Sequence, residues 1–158
     1  MPYDVNDIID KAVNIALKRK NIYENVKQQN KDIYSITIMS KVLIKDVEKT
    51  IELYKKLTIE LKDVALEEID FGTYDKISFL INEFNGKLYL YDIKDIKDFL
   101  KFSLNLEKDI HSLFLSIQGR LIKNKNDVNT KTYTVLSAMI NNKAKLIGSI
   151  EKILRENT

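Results

Sequence analysis

Glu107 and His111 are the two side chains of this sequence whose types and spacing could do chemistry at one site. They lie four residues apart in residues 98–121, where apolar residues recur at the three-and-four spacing of a helix that buries a wide face. Residues four apart share a helix face, so the carboxylate and the imidazole would point in the same direction. Because both groups can bind iron or manganese, the pair is a candidate metal site.

Most other chemistry is excluded by composition. The chain has no cysteine and one histidine, which rules out disulfides, thiolate metal sites, cysteine nucleophiles and a multi-histidine cluster within one chain. Its four glycines are isolated, so they form no phosphate-binding loop. A serine nucleophile would have to recruit His111, and nothing in the sequence orients that imidazole. We therefore assign no catalytic residue.

The net charge of +3 is modest, and lysines and acids alternate along most of the chain. The densest basic run is Lys18-Arg19-Lys20, whose side chains would point in three directions on a helix. No apolar run approaches the roughly 18 residues that a membrane span needs, and the first residues lack the pattern of a signal peptide. We expect a cytoplasmic protein without a membrane span, and nucleic-acid binding is not the favoured function.

With four glycines and one proline, the chain has few breaks, which favours long helices. Asp4, Asp32 and either Asp92 or Asp95 are suited to cap three of them. The predicted elements are helices over residues 4–29, 33–61, 92 or 95 to about 119–122, and 129–155, with a short helix over residues 74–84. A polar loop is expected over residues 123–130, and an extended crossover over residues 87–93.

The first and third long helices form a weak internal repeat. Residues 8–26 and 99–117 align without gaps at an offset of 91, and the alignment pairs Ala16 with Glu107. Two helical hairpins joined by one long connection are typical of the ferritin-like four-helix bundle. We predict an all-α fold of this kind, an up-down bundle that forms a single domain over residues 1–158.

Residues 103–114, SLNLEKDIHSLF, match a run of the form A-x-x-x-E-K-x-x-x-x-F-Y, and residues 14–26 match it with Ala16 in place of the glutamate. Residues 46–57 and 141–154 are similar to the runs that carry E-x-x-H. On these residues the chain resembles the ferritin-like superfamily, in particular its small rubrerythrin-like bundles. The resemblance places the dimetal ligand positions at Ala16, Val47, Thr50, Glu107, Asn142 and Lys145.

Of these positions, only Glu107 keeps a ligand. Residues 11–23 and 128–150 contain no Asp, Glu or His, so no shift of alignment restores a dimetal site. A buried carboxylate needs a partner, and we expect the ammonium of Lys145 or the hydroxyl of Thr50 to supply it.

The sequence thus favours a non-enzymatic, metal-free bundle without a cofactor. Its role would be binding or structural, and the resemblance implies a homodimer; the sequence names no other protein partner. The first alternative is a ferritin-like metal-dependent oxidase or peroxidase, with iron or manganese held by Glu107, His111 and acids of the second helix (Asp46, Glu48 and Glu52). The second is a basic helical module that binds nucleic acid or anionic lipid.

Overall fold

The computed structural model describes residues 2–89 and 92–157 of the chain. The described residues form five α-helices and one short 3₁₀ helix. In chain order the α-helices are α1 (Val5–Gln29), α2 (Tyr34–Glu60), α3 (Phe71–Gly86), α4 (Ile96–Leu121) and α5 (Lys131–Glu156). The 3₁₀ helix, Lys125–Asn129, lies between α4 and α5.

The all-α prediction is confirmed. Four helices of 25–27 residues and one of 16 residues lie where the apolar periodicity placed them. Over the described ranges the β structure is limited to an isolated antiparallel bridge between Tyr3 and Ile69. The extended segment predicted for residues 87–93 is outside any helix at its described positions, and Leu90 and Tyr91 lie outside the described residues. No helix among the described residues is both long and apolar enough to cross a membrane.

The chain divides into two compact units. One unit is Asn6–Ala65 and holds nearly all of α1 and all of α2; the other consists of Met1–Val5 together with Leu66–Thr158 and holds α3, α4 and α5. The predicted single domain stays a prediction.

In the Asn6–Ala65 unit, residues 30–33 connect α1 to α2. Arg19 of α1 is buried, and its guanidinium donates to Asp46 of α2 across 3.1 Å. Leu17, an apolar residue that the periodicity of residues 8–26 predicts to face inward, is instead 50% exposed. Arg19 lies at the three-and-four spacing from Ala16 and Tyr23, so the true buried stripe passes through a charged residue that the apolar pattern skips.

In the second unit, α4 contacts both α3 and α5. At one level of the α4–α5 pair, Gln118 donates its amide to the Ser137 hydroxyl at 2.9 Å. The buried side of α4 is almost entirely apolar. It comprises Phe99, Leu100, Ser103, Leu106, Glu107, Ile110, Leu113, Phe114 and Ile117.

Side-chain caps fix several helix starts. Asp95, rather than Asp92, caps α4 by accepting from the Asp98 N–H at 2.8 Å. Thr130 caps α5, and Asp70 caps α3, which therefore begins earlier than predicted. The prediction that Asp32 caps α2 is wrong, because the helix starts one residue later, with Ile33 at the cap position and no side-chain bond there.

Candidate functional site: a buried ion pair

Glu107 lies in the middle of α4 on its buried side. Residues one turn away on that side, Ser103 and Ile110, are also buried, so the helix periodicity carries the carboxylate into the core. The Ser103 hydroxyl is satisfied locally, since it donates to the Phe99 carbonyl at 2.9 Å. It therefore does not need the carboxylate as an acceptor.

Glu107 forms an ion pair with Lys143 of α5. The Lys143 Nζ atom donates to Glu107 Oε1 at 2.7 Å. The side chains of Lys143 and Glu107 are 2% and 0% exposed, so the ion pair is withdrawn from water. An ammonium and a carboxylate at this distance form a charge-assisted hydrogen bond and compensate each other's charge.

The prediction that Lys145 supplies the ammonium is wrong. Lys145 is exposed, whereas Lys143 lies on the buried line with Met139, Ile140 and Ile147. A signal for Lys143 was present in the sequence, because it stands three and four residues from buried apolar neighbours, but a stripe drawn through apolar residues alone omits it.

The other predicted ligand positions differ in how far they are buried. Ala16, Val47 and Thr50 are buried, and Asn142 is only half-buried. The Thr50 hydroxyl donates to the Asp46 carbonyl of its own helix at 2.9 Å. The one hydroxyl proton of Thr50 is thus donated within the preceding turn of its own helix.

The remaining candidate ligands are dispersed. His111 follows Glu107 by one turn and is half-buried, while Glu48 and Glu52 are exposed on α2. Asp46 is held by Arg19. Among residues 2–89 and 92–157, no three His, Cys, Asp or Glu side chains are grouped so that they could hold a metal ion.

The residues around Glu107 do not fit an iron or manganese ion. Lys143 Nζ, which carries a positive charge in the ion pair, stands 2.7 Å from the carboxylate oxygen that would have to bind the metal. A divalent cation on Glu107 would be repelled by that ammonium and would have to displace it into an apolar core. Such ions also require several oxygen or nitrogen donors, and α5 presents an ammonium at this level instead.

Tyr89 belongs to a second polar group beside α4. Its hydroxyl donates to Asp109 Oδ2 at 2.8 Å, and the Lys87 ammonium donates to the same oxygen at 2.6 Å. Its ring meets that of Phe102 edge to face. Burial raises the pKa of Tyr89, and the hydrogen bond to Asp109 together with the charges of Asp109 and Glu107 raises it further. This tyrosine therefore stays protonated as a hydrogen-bond donor at neutral pH.

A cleft of about 160 Å³ lies near the start of α5, and Glu67, Asp70, Lys123 and Asp127 line it. Glu67 Oε1 accepts from the Thr132 N–H at 2.9 Å and from the Thr132 hydroxyl at 2.8 Å. Asp70 caps α3 and accepts from Lys123. Glu67, Asp70 and Asp127 therefore each accept hydrogen bonds at a helix start or a turn, whereas Glu68, which also lines the cleft, is exposed.

Hydrogen bonding lowers the pKa of all three of these carboxyls. For Glu67, burial raises the pKa, but the bonds from the Thr132 N–H, its hydroxyl and the Lys131 N–H outweigh that effect. For Asp70 the main cause is the bond from Lys123, and for Asp127 it is the bond from the Lys123 N–H. The three groups are therefore ionised at neutral pH.

The basic run of α1 does not form a surface patch. Arg19 is buried against Asp46, and its neighbours Lys18 and Lys20 are half-buried. Burial also lowers the pKa of Lys18. The run therefore offers no cluster of exposed charge to a phosphate backbone.

No protein-family model, no curated protein and no solved structure matches this chain.

Proposed function

We propose that this chain is a metal-free helical bundle of the ferritin-like kind, with a binding or structural role exercised through self-association. The observation that supports it is the ion pair between Glu107 and Lys143. The one carboxylate that remains at a ligand position of the family pattern is neutralised by an ammonium of the chain itself. A protein that keeps its core charge-balanced in this way has no need of an ion for stability.

The order and lengths of the helices support the same proposal. Four helices of 25–27 residues flank a connection that contains the 16-residue α3. That is the sequence of elements expected for two hairpins and a long crossover. The proposed bundle arrangement rests on this order and on the sequence resemblance.

A metal-dependent oxidase or peroxidase is the less supported alternative. It would need Glu107 as a ligand together with His111 and acids of α2. Glu107 is bound by Lys143, Asp46 is bound by Arg19, and Glu48 and Glu52 are exposed. These candidate metal ligands are therefore either bound to a cationic side chain of the chain itself or exposed to water.

Elemental analysis of protein purified without chelator tests the proposal. We expect iron and manganese far below one equivalent per chain, and ferrous oxidation no faster than buffer for both wild type and Glu107→Ala. The same assay on Lys145→Ala is the matched control, since that lysine is exposed. A full equivalent of metal, with oxidation that Glu107→Ala abolishes, would overturn the proposal in favour of the enzyme.

A further inference from the structure

Two helices each expose a row of apolar side chains, and the charged residues beside one row are opposite in sign to most of those beside the other. On α2, Tyr34, Ile38 and Val42 follow one another at intervals of four residues, and Tyr34 is 78% exposed. On α3, Phe71 and Phe79 are separated by eight residues and are 72% and 65% exposed. Soluble proteins rarely leave several large apolar side chains together in water, and such groups commonly mark an interaction site.

The charges beside the α2 row are basic. Lys41 and Lys45 are exposed and project near the same side of the helix as Ile38, since they lie three and seven residues after it. Neither lysine is held in an ion pair by any residue of the described ranges. We name this surface, comprising Tyr34, Ile38, Lys41, Val42 and Lys45, the α2 face.

The charges beside the α3 row are mainly acidic. Asp75 lies midway between the two phenylalanines, and Glu83 lies one turn after Phe79; both are exposed. Neither carboxylate bonds to another residue in the part of the chain that the structure describes. We name this surface, comprising Phe71, Asp75, Phe79 and Glu83, the α3 face.

The two faces match in length as well as in charge. The first and last residues of each apolar row are eight positions apart, about 12 Å at the helical rise of 1.5 Å per residue. Pairing the α2 face with a second α2 face would set lysines against lysines, and pairing two α3 faces would set Asp75 and Glu83 against acids. Like charges across an interface are costly, so the pairing of unlike faces is the favourable one.

We propose that the partner of this protein is a second copy of the same chain, and that the α2 face of one copy binds the α3 face of the other. The inference deepens the self-association in the proposed function and rests on it. Each buried aromatic ring contributes about 150–250 Å², so three rings and two aliphatic side chains give a small contact. Association of that size is weak and depends on protein concentration.

Charge reversal tests the pairing in sedimentation equilibrium over a range of protein concentrations. Variant A carries Lys41→Glu and Lys45→Glu, and variant B carries Asp75→Lys and Glu83→Lys. Each alone is expected to weaken self-association by at least about tenfold, because like charges then face each other. An equimolar mixture of A and B, and a chain carrying all four changes, should associate again.

Lys55→Glu combined with Lys56→Glu is the matched control, because these exposed lysines lie on α2 beyond its apolar row. This control should associate as wild type does, and circular dichroism should show unchanged helix content in every variant. Wild-type association should also weaken as salt is raised from low ionic strength.

Several results would overturn the inference. If A loses association and B does not, the α3 face is not the surface that the α2 face binds, and the reverse result excludes the α2 face in the same way. Failure of the equimolar mixture of A and B to associate would also overturn the inference. Wild type that stays monomeric but binds vesicles of anionic lipid through Lys41 and Lys45 would assign the α2 face to a membrane surface.

Failure of the pairing between the α2 face and the α3 face and failure of self-association give different results in these experiments. Association of wild type that A and B leave unchanged refutes the two faces while leaving self-association intact. A monomer at every concentration refutes both. The metal content of the purified protein tests the metal-free core independently of either result.

Discussion

Glu107 and Lys143 constrain each other's position within the core. Both side chains are withdrawn from water, so each charge contributes to the compensation of the other. Removing one partner of a buried pair is far more costly than replacing both, because the remaining charge is left without compensation. The pair therefore makes a register marker between α4 and α5, which only one relative placement of the helices satisfies.

Lys143→Met is expected to lower the free energy of unfolding by about 3–5 kcal/mol, because it leaves Glu107 buried without its cation. The double variant Glu107→Leu with Lys143→Met should lie near wild type or above it by about 1–4 kcal/mol. Urea denaturation followed by circular dichroism measures both.

The control for that series is Lys145→Met, whose exposed side chain should change stability by no more than about 0.5 kcal/mol. If Lys145→Met proved as damaging as Lys143→Met, the register of α5 described above would be wrong.

For the ion pair, the sequence predicted the buried carboxylate of Glu107 but did not identify Lys143 as its cation. Glu107 was identifiable because apolar residues surround it at helical spacing. Lys143 and Arg19 have the same surroundings, yet a lysine or arginine stem can also bend out to solvent, so spacing alone does not distinguish a buried cation from an exposed one. What decides between them is an acid on the facing helix, and that requires the packing.

The helices α3, α4 and α5 begin at side chains that satisfy free backbone N–H groups. Asp95 does so for α4 and Thr130 for α5, where Glu67 adds a second acceptor from a distant part of the sequence. A carboxylate at a helix start also interacts favourably with the helix dipole.

Asp95→Ala is expected to cost about 0.5–2 kcal/mol, the usual effect of losing an N-cap acceptor. Asp92→Ala, three residues earlier, should have an effect within about 0.5 kcal/mol, because its exposed side chain makes only a long contact with Lys94. Thermal or urea unfolding of the two variants measures the difference. Equal losses would show that Asp95 is not the cap.

Glu67→Gln tests the remote cap through pH. The pKa of Glu67 is lower in the folded than in the unfolded chain, so its contribution is complete above the unfolded value of about 4.3 and is lost as pH falls through the folded value. We expect Glu67→Gln to reduce stability at pH 7 by about 0.3–1 kcal/mol. The difference from wild type should shrink from about pH 5 downwards.

The neighbouring exposed residue supplies the control, and Glu68→Gln should follow the wild-type profile at every pH. A gap between Glu67→Gln and wild type that stayed constant from pH 7 to pH 3 would contradict the assignment of the shifted pKa to the capping bonds.

Helix positions were the most predictable part of this protein, because long apolar periodicity determines them. The residues at which the helices begin were less predictable. Asp95 and Asp92 were equally good caps on composition, and only the fold chooses between them. Asp32 has the right chemistry but stands one residue too early for α2, whose start at Tyr34 has no side-chain cap.

For the whole molecule, the net charge is unevenly distributed. Residues 6–65 contain 12 Lys and Arg against 9 Asp and Glu, which accounts for the full +3 of the chain, so the other unit is neutral. The second unit is discontinuous in sequence, since residues 1–5 belong with residues 66–158. Apolar periodicity predicted neither the division nor the return of residues 1–5, because a bridge between distant segments leaves no repeating pattern.

Tyr3 joins the two parts of that discontinuous unit. Its carbonyl accepts from the Ile69 N–H at 2.8 Å, and its ring stacks on Tyr74 with centroids 3.7 Å apart. Tyr3→Ala is expected to destabilise the protein by about 0.5–1.5 kcal/mol beyond the area lost, as for other aromatic pairs. It should also speed hydrogen exchange at the Ile69 amide.

Tyr34→Ala, measured at low protein concentration, is the control, because that ring is exposed. Faster exchange at Ile69 in both variants, or in neither, would contradict a role for the Tyr3 ring in holding the bridge.

The bridge between Tyr3 and Ile69 also sets an order of events during translation. Tyr3 leaves the ribosome before its partners, which are made only after the sixty residues of the Asn6–Ala65 unit. Until those partners exist, Tyr3 cannot form the bridge. By then α1 and α2 have been synthesised and can form their own ion pair between Arg19 and Asp46. Closing so long a loop costs little more entropy than closing a short one. The inserted hairpin is thus free to fold first, and the enclosing unit is completed last.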